Sequence, residues 1–370
     1  MRPITTPTLL LDTTKCRQNI QLLVDKAREH QLIPRPHFKA HQSAEIGQWF
    51  RQAGVDRIAV SSVGMACYFA GAGWRDILIA APVNILEIAR INQLAADITL
   101  GLVVTMPGTA EFLAQHLAQP VQVWIEVEAG YRQMGVDAND LAPIKRLVAL
   151  VQESTKMQFA GFYAHAGHTP PHRNPHVINT ALVLARQALA KLRDQYVTDL
   201  PELQICFGDT PTAILADDFS GIDELSAGSL VFYDLTQYFI GSCQLEQIAL
   251  ALACPVVAKN TAHREILVCG GAIHLSKEYI ELSEIPFYGY VVNFTDQGWT
   301  LPVVDTYVKA LSQEHATIKA SEAFFAEIQV GDLLGILPVR ASLTASAMKQ
   351  YLTLGGEWIA MMGQENPLLP

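Results

Sequence analysis

The chain has 370 residues, half of them apolar, with 26 Lys and Arg against 36 Asp and Glu and a formal net charge of −10. A chain of this length and apolar content buries a large core, which excludes a disordered protein and suggests two domains. The acidic balance, without a basic run, argues against nucleic acid, whose phosphates are held by clustered cations; a small metabolite is the expected partner. No apolar run approaches the ~20 residues of a spanning helix, and Met1-Arg2-Pro3-Ile4-Thr5-Thr6-Pro7 lacks the apolar core of a signal peptide. A cytoplasmic protein with no membrane partner is expected. Cys16, Cys67, Cys206, Cys243, Cys254 and Cys269 form no C-x-x-C pair, which fits buried thiols in a reducing compartment.

Residues 8–12 form a short apolar run closed by Asp12, and Thr13 offers a cap to an amphipathic segment that reaches His30. Residues 32–39 then read as a strand ending on Lys39, with His37 and His41 on either side and Arg35 four residues earlier. Strand-like runs follow at 57–62, 76–82, 97–104, 121–127, 157–164 and 203–207, separated by helix-length segments, with an eighth at 223–226 or just beyond. Short apolar runs alternating with helices are the pattern of a parallel sheet covered on both faces. Eight of them in about 230 residues fit an α/β protein built as a (β/α)8 TIM barrel. An open doubly wound sheet has the same periodicity. Beyond Gly241, runs at 248–259, 264–269, 288–293, 301–307 and 332–337 have little helix between them, the mark of a C-terminal antiparallel β domain. The expected division is a barrel over 12–241 and a β-rich domain over 242–370 joined by 1–11. The boundary at 237–243 is no flexible linker, so tight packing is expected.

A lysine at the carboxyl end of a barrel strand stands where barrel enzymes assemble their sites, and neighbouring cations make its amine a better nucleophile toward an aldehyde. Taken alone, Lys39 is equally a surface lysine in a basic loop. Barrels characteristically bind phosphate after strands seven and eight. Here those places hold Gly208-Asp209-Thr210-Pro211-Thr212 and Ala227-Gly228-Ser229, where glycines admit backbone N–H groups to an anion and hydroxyls donate to it. A structural turn explains either segment alone; together, and opposite Lys39, they favour a phosphorylated aldehyde cofactor. Arg132, in the glycine-flanked loop after strand five, can donate to a cofactor oxygen or pair with Glu128 or Asp137. Tyr163 and His165 share one face of strand six. His168, His172 and His176 follow, and the H-x-x-H spacing admits zinc only weakly, because a strand-to-loop setting does not make the rings converge. A zinc hydrolase using His165, His168 and Asp209 is the competing chemistry.

With these residues in hand, the chain resembles the D-threonine aldolase and D-serine dehydratase family, relatives of alanine racemase with the fold type III pyridoxal 5'-phosphate (PLP) architecture. The resemblance covers nearly the whole chain. Thr6-Pro7 with Leu9-Leu10-Leu11-Asp12, and Arg35-Pro36-His37-Phe38-Lys39-Ala40-His41, are similar to the family's opening and its R-P-H-x-K-T-H segment. Gly208-Asp209-Thr210-Pro211-Thr212 resembles G-S-T-P-T, Gly228-Ser229-Leu230-Val231-Phe232-Tyr233-Asp234 resembles G-S-Y-V-F-Y-D, and Gln313-Glu314-His315 resembles E-E-H. The resemblance implies that Lys39 binds PLP and shuttles the Cα proton, and that Arg132 and Tyr163 hold the ring beside His165. It also implies that Thr210, Gly228 and Ser229, with Asp209 in the same loop, hold the phosphate, that His168 faces the substrate, and that the protein is a homodimer.

One segment departs from the family. Its P-N-H-A-C or P-N-H-x-D, whose histidine and cysteine or aspartate bind a divalent metal, reads Pro338-Val339-Arg340-Ala341-Ser342 here. A guanidinium is no metal ligand at neutral pH and a lone serine hydroxyl is a poor one, so no metal is expected. Arg340 is instead a candidate for a substrate carboxylate. The segment D-A-G-S-K-A-L-S is likewise altered, to Cys269-Gly270-Gly271-Ala272-Ile273-His274-Leu275-Ser276. The expected function is a PLP-dependent aldolase, racemase or dehydratase acting at Cα of a small D-amino acid without the metal. The alternative is a PLP carrier or regulatory protein without turnover.

Overall fold

The computed structural model describes residues 4–128, 135–165, 175–282 and 284–364. The chain divides into two compact units, one made of Gln21–Lys39 and Gly47–Gly228, the other of Met1–Ile20, Ala40–Ile46 and Ser229–Pro370.

The first unit is an eight-stranded parallel barrel. Its strands in chain order are Ile33–Pro34, Arg57–Val60, Asp76–Pro82, Thr99–Val104, Val121–Glu128, Met157–Ala164, Gln204–Phe207 and Glu224–Leu225, hereafter strands one to eight. Each pairs in parallel with its neighbours. Strand one closes the ring. On one side Arg35 N–H donates to Leu225 O (2.9 Å) and His37 N–H to Ala227 O (2.9 Å). On the other, Phe38 N–H donates to Ala59 O (2.8 Å) and Ala59 N–H to Pro36 O (2.9 Å), so backbone bonding runs through residue 38. Residues 34, 36 and 38 face strand two, and proline has no N–H. Pro34 and Pro36 therefore shorten the regular ladder here, and Phe38 makes the one backbone donation to strand two from these three residues.

The helices outside the barrel form for local reasons. Ser62 caps Val63–Gly71 by accepting from Met65 N–H (3.2 Å), Asp140 caps Leu141–Glu153, and Pro107 takes the first position of Pro107–His116. Leu141–Glu153 buries Ile144, Leu147, Val148 and Val151, the spacing of one helix face. Each such side chain contributes roughly 1.5–3 kcal/mol.

The second unit contains a ring of antiparallel strands. Glu265–Cys269, His315–Lys319, Tyr307–Leu311, Gly289–Val292, Leu333–Pro338 and Leu250–Asn260 follow one another, and Leu250–Asn260 bends back onto Glu265–Cys269 through a register shift between Val256 and Ala258. Thr8–Leu11, Gln350–Thr353 and Trp358–Ala360 extend the sheet from Leu250–Asn260. The run at 301–307 is not the strand its composition suggests. The strand begins at Tyr307, because Pro302 lacks a donor and Asp305 adopts φ +52°. All six cysteines are free thiols. No helix among the described residues is long and apolar enough to cross a membrane.

Candidate active site

The amino-terminal end of the barrel is plugged by charge. Arg35 is buried and places Nε 2.5 Å and Nη2 2.9 Å from the two oxygens of Glu224, with Nη1 2.7 Å from Asp76. Arg57 joins Glu224 at 3.0 Å. Arg57, Asp76 and Glu224 are each the first residue of their strands, so they form the barrel's floor. Burial pushes the Glu224 carboxyl up, but the charges and hydrogen bonds of Arg35 and Arg57 together outweigh it and hold it below the ordinary carboxylate range. Arg35 thus does not act as the cation beside Lys39 that the spacing suggests; its charge is matched one layer down. Above the floor, Leu78, Val103, Trp124, Tyr163 and Cys206 fill the barrel.

Strand one then delivers the lysine. Phe38 points outward and packs against Phe50, Phe69 and Trp74 at centroid distances of 5.0, 4.9 and 5.1 Å. His37 and Lys39 take the opposite face. Lys39 lies in the turn just past the strand and is exposed. Its backbone N–H donates to His37 Nδ1 (3.4 Å), which fixes the neutral ring with its proton on Nε2. His37 is held well below the ordinary histidine range, first by burial, then by the charges of Lys39 and His165.

The two glycine loops stand at the same end of the barrel. Gly208 adopts φ +134°, and a methyl group there would lie 2.8 Å from Ser226 O, so only glycine lets strands seven and eight approach this closely. Asp209 caps Thr210–Leu215: its Oδ1 accepts from Thr212 N–H at 2.8 Å. Asp209, Thr210 and Thr212 are buried. Ser229 follows Gly228 directly and opens the turn Ser229–Val231.

Strands five and six line the side across from strand one. Tyr163 is buried and in register with Glu126, and its hydroxyl is held well above the ordinary range, chiefly by burial. His165 Nδ1 donates to Gly208 O (3.0 Å). Glu126, not singled out from the sequence, is buried; burial and then Glu128 raise its pKa to about 7. Its signal was the break in the apolar run of strand five, two residues beyond Trp124 on the same face. Arg132 and His168, like His172, lie outside the described residues.

Arg340 and Ser342 belong to the second unit. Arg340 precedes the helix Ala341–Met348 without capping it, and its Nε lies 3.8 Å from Glu278. The cap is Asp234, whose Oδ2 accepts from Ala341 N–H (3.1 Å) and whose pKa burial raises to about 6. His274 Nδ1 accepts from Gly271 N–H (3.2 Å). Among the described residues no three His, Cys, Asp or Glu side chains are grouped for a metal ion. The donors of this segment, a guanidinium and a hydroxyl, do not fit one either.

Comparison with known proteins gives two family matches. Residues 11–235 match the alanine racemase N-terminal domain, and residues 249–354 match a putative serine dehydratase domain. D-threo-3-hydroxyaspartate dehydratase from Delftia sp. (strain HT23) is 27% identical over 367 residues, 95% of this chain and 94% of that protein. Its solved structure superposes with a TM-score of 0.89 at 24% identity, covering 98% of each chain. D-serine dehydratase from Dictyostelium discoideum is 24% identical over 96% of this chain and 94% of its own. The structure of D-threonine aldolase from Filomicrobium marinum has a TM-score of 0.83 at 20% identity, covering 97% and 95%.

Proposed function

The chain belongs to the alanine racemase N-terminal domain family, and from that premise we propose that it is a PLP-dependent enzyme breaking a bond at Cα of a small D-amino acid. The observation that carries this reading is Lys39 at the carboxyl end of strand one, with the Gly208 and Gly228 loops of strands seven and eight at the same end. The residues fit the cofactor. Lys39 offers a primary amine to an aldehyde. Backbone N–H groups around Gly208 and Gly228, with the hydroxyls of Thr210 and Ser229, offer donors to a phosphate. Tyr163 and His165 line the wall that a planar ring would face, and Arg132 and His168 are assigned to ring and substrate.

When bound, the pyridoxal ring draws electrons away from Cα of an attached amino acid, and the protein selects which bond breaks. Lys39 Nζ would move the proton at Cα, taking it where a C–H bond breaks or supplying it where a Cα–Cβ bond breaks. His37, kept neutral by burial, holds the backbone N–H of Lys39 and so fixes where that amine emerges. Asp209 holds the first turn of its helix, and with it the loop carrying Thr210. The named relatives, two dehydratases and an aldolase, favour a D-amino acid with a β-hydroxyl and a lyase reaction over racemisation. We assign Arg340 to the substrate's carboxylate and propose that the reaction runs without the family's divalent metal.

The test is spectroscopic and chemical. The purified protein should show the visible absorption band of a lysine-bound pyridoxal group, and Lys39→Ala should abolish it. D-serine, D-threonine and D-threo-3-hydroxyaspartate should include at least one substrate, with turnover unchanged by a chelator. Turnover lost on chelation and restored by manganese or zinc would overturn the metal-free assignment. A second reading, a PLP carrier without turnover, is favoured by the altered Arg340 segment; an intact band with no product from any D- or L-amino acid would select it. The expected homodimer is checked by the mass of the protein in solution.

A further inference from the structure

The interior face of strand five carries Gln122, Trp124, Glu126 and Glu128 at alternate positions. Three polar atoms on this face, Trp124 Nε1, Glu126 Oε2 and Glu128 Oε1, are buried and have no hydrogen-bond partner among the described residues. Glu126 is only 8% exposed. A carboxylate so buried must find a cation or keep a proton.

The described groups around Glu126 supply no cation. Glu128, two residues on, is a like charge that raises the cost of ionising it. Tyr163 faces it in register from strand six, with Cys206 and Asp209 acting on that tyrosine in turn, and all three are neutral or acidic. From strand four, Val103 and Val104 meet strand five beside it and carry no charge. Burial and the neighbouring carboxylate act in the same direction, toward the protonated form.

We propose that Glu126 keeps a proton beside the carboxylate of Glu128, and that this pair positions the cofactor by presenting one negative charge instead of two to a phosphorylated anion. This rests on the assignment of the barrel's open end to PLP. Both carboxylates ionised would repel the incoming anion, so the singly protonated pair binds it better. Binding therefore completes the protonation of Glu126, the proton coming from solvent, and affinity falls as pH rises above neutrality.

The pair is tested first in the full chain stripped of cofactor. Infrared difference spectra should contain the carbonyl stretch of a protonated carboxyl that titrates near neutrality and disappears in Glu126→Gln. In Glu128→Gln, with the like charge removed, its midpoint should move down toward the ordinary carboxylate range. Absence of the band, or its survival in Glu126→Gln, overturns the pair. Should Glu126→Gln fail to fold, an unmoved midpoint in Glu128→Gln is equally decisive against it. The positioning role is read from PLP affinity across pH 7 to 9. The wild type should lose affinity by roughly tenfold more than Glu126→Gln, one pK unit of coupling. Equal losses would overturn that role. The visible band and its loss in Lys39→Ala test the cofactor reading separately, so failure of one is distinguishable from failure of the other.

Discussion

A methyl group on Gly228 would lie 2.6 Å from the carbonyl oxygen of His37 and 3.2 Å from its Cβ. His37 stands two residues before Lys39, so a residue on strand eight's loop sets how far the lysine-bearing segment can approach. Gly228→Ala should push strand one outward and weaken cofactor binding at least about tenfold, the equivalent of 1.4 kcal/mol. Ala227→Ser, one residue earlier, serves as the control for a general effect of altering this loop. The measurement is PLP titration followed by visible absorbance.

The floor ion pair predicts a stability effect without chemistry. Glu224 is fully buried between Arg35 and Arg57. Glu224→Gln leaves a buried guanidinium short of charge, and a loss of about 3–5 kcal/mol is expected in urea unfolding. The same substitution should leave the wavelength of the visible band unchanged, since Arg35 stands four residues before the lysine and Glu224 is in register with Ile33, six before it.

Acid should weaken the protein through two buried histidines. His41 is fully buried, accepts Ser43 N–H at Nδ1 (3.1 Å), and burial lowers its pKa from 6.5 to about 3. A depressed histidine stabilises the fold above its unfolded value and loses that contribution as pH falls toward the folded value. Between pH 6.5 and 4.5 the loss from His41 should reach roughly 2–3 kcal/mol, and His37 adds to it in the same direction. His41→Asn keeps an acceptor for the Ser43 amide without the titration, so its unfolding free energy should vary less with pH over that range.

Glu126 has the opposite sign. Its pKa is raised from 4.5 to about 7, so its contribution is complete below 4.5 and is lost as pH rises through 7. Glu126→Gln should therefore gain stability relative to wild type at pH 8, by up to roughly 3 kcal/mol, and show no such gain at pH 4.5. Thermal unfolding at both values checks this.

Arg340→Ala should raise KM for the substrate by more than tenfold with a smaller change in kcat, the pattern of lost ground-state binding. An unchanged KM would remove Arg340 from substrate recognition.

Most of the barrel strands were legible as short apolar runs between turn residues, the eighth, Glu224–Leu225, only by its place after the seventh, and the lysine and both glycine loops fell at strand ends. Closure was not legible, since the bonds that make it, Arg35 to Leu225 and Phe38 to Ala59, join residues far apart in the chain. The role of Arg35 was misread for the same reason. Its partners Asp76 and Glu224 are 41 and 189 positions away, and only the fold brings them to the arginine before the lysine can. Glu126 was visible as an acid in an apolar run, but its isolation depends on what strands four and six place beside it. In the second unit, a proline and a left-handed aspartate moved a strand that composition alone had put six residues early.

The two prolines before the lysine leave the barrel with an uneven seam. Arg35 and His37 stitch strand one to strand eight, while toward strand two Phe38 supplies the donor where Pro34 and Pro36 cannot. A wall joined firmly on one edge and loosely on the other yields along the loose edge. Amide hydrogens of strand two should accordingly exchange sooner than those of strand eight, and the amine at position 39 follows a segment anchored to strand eight.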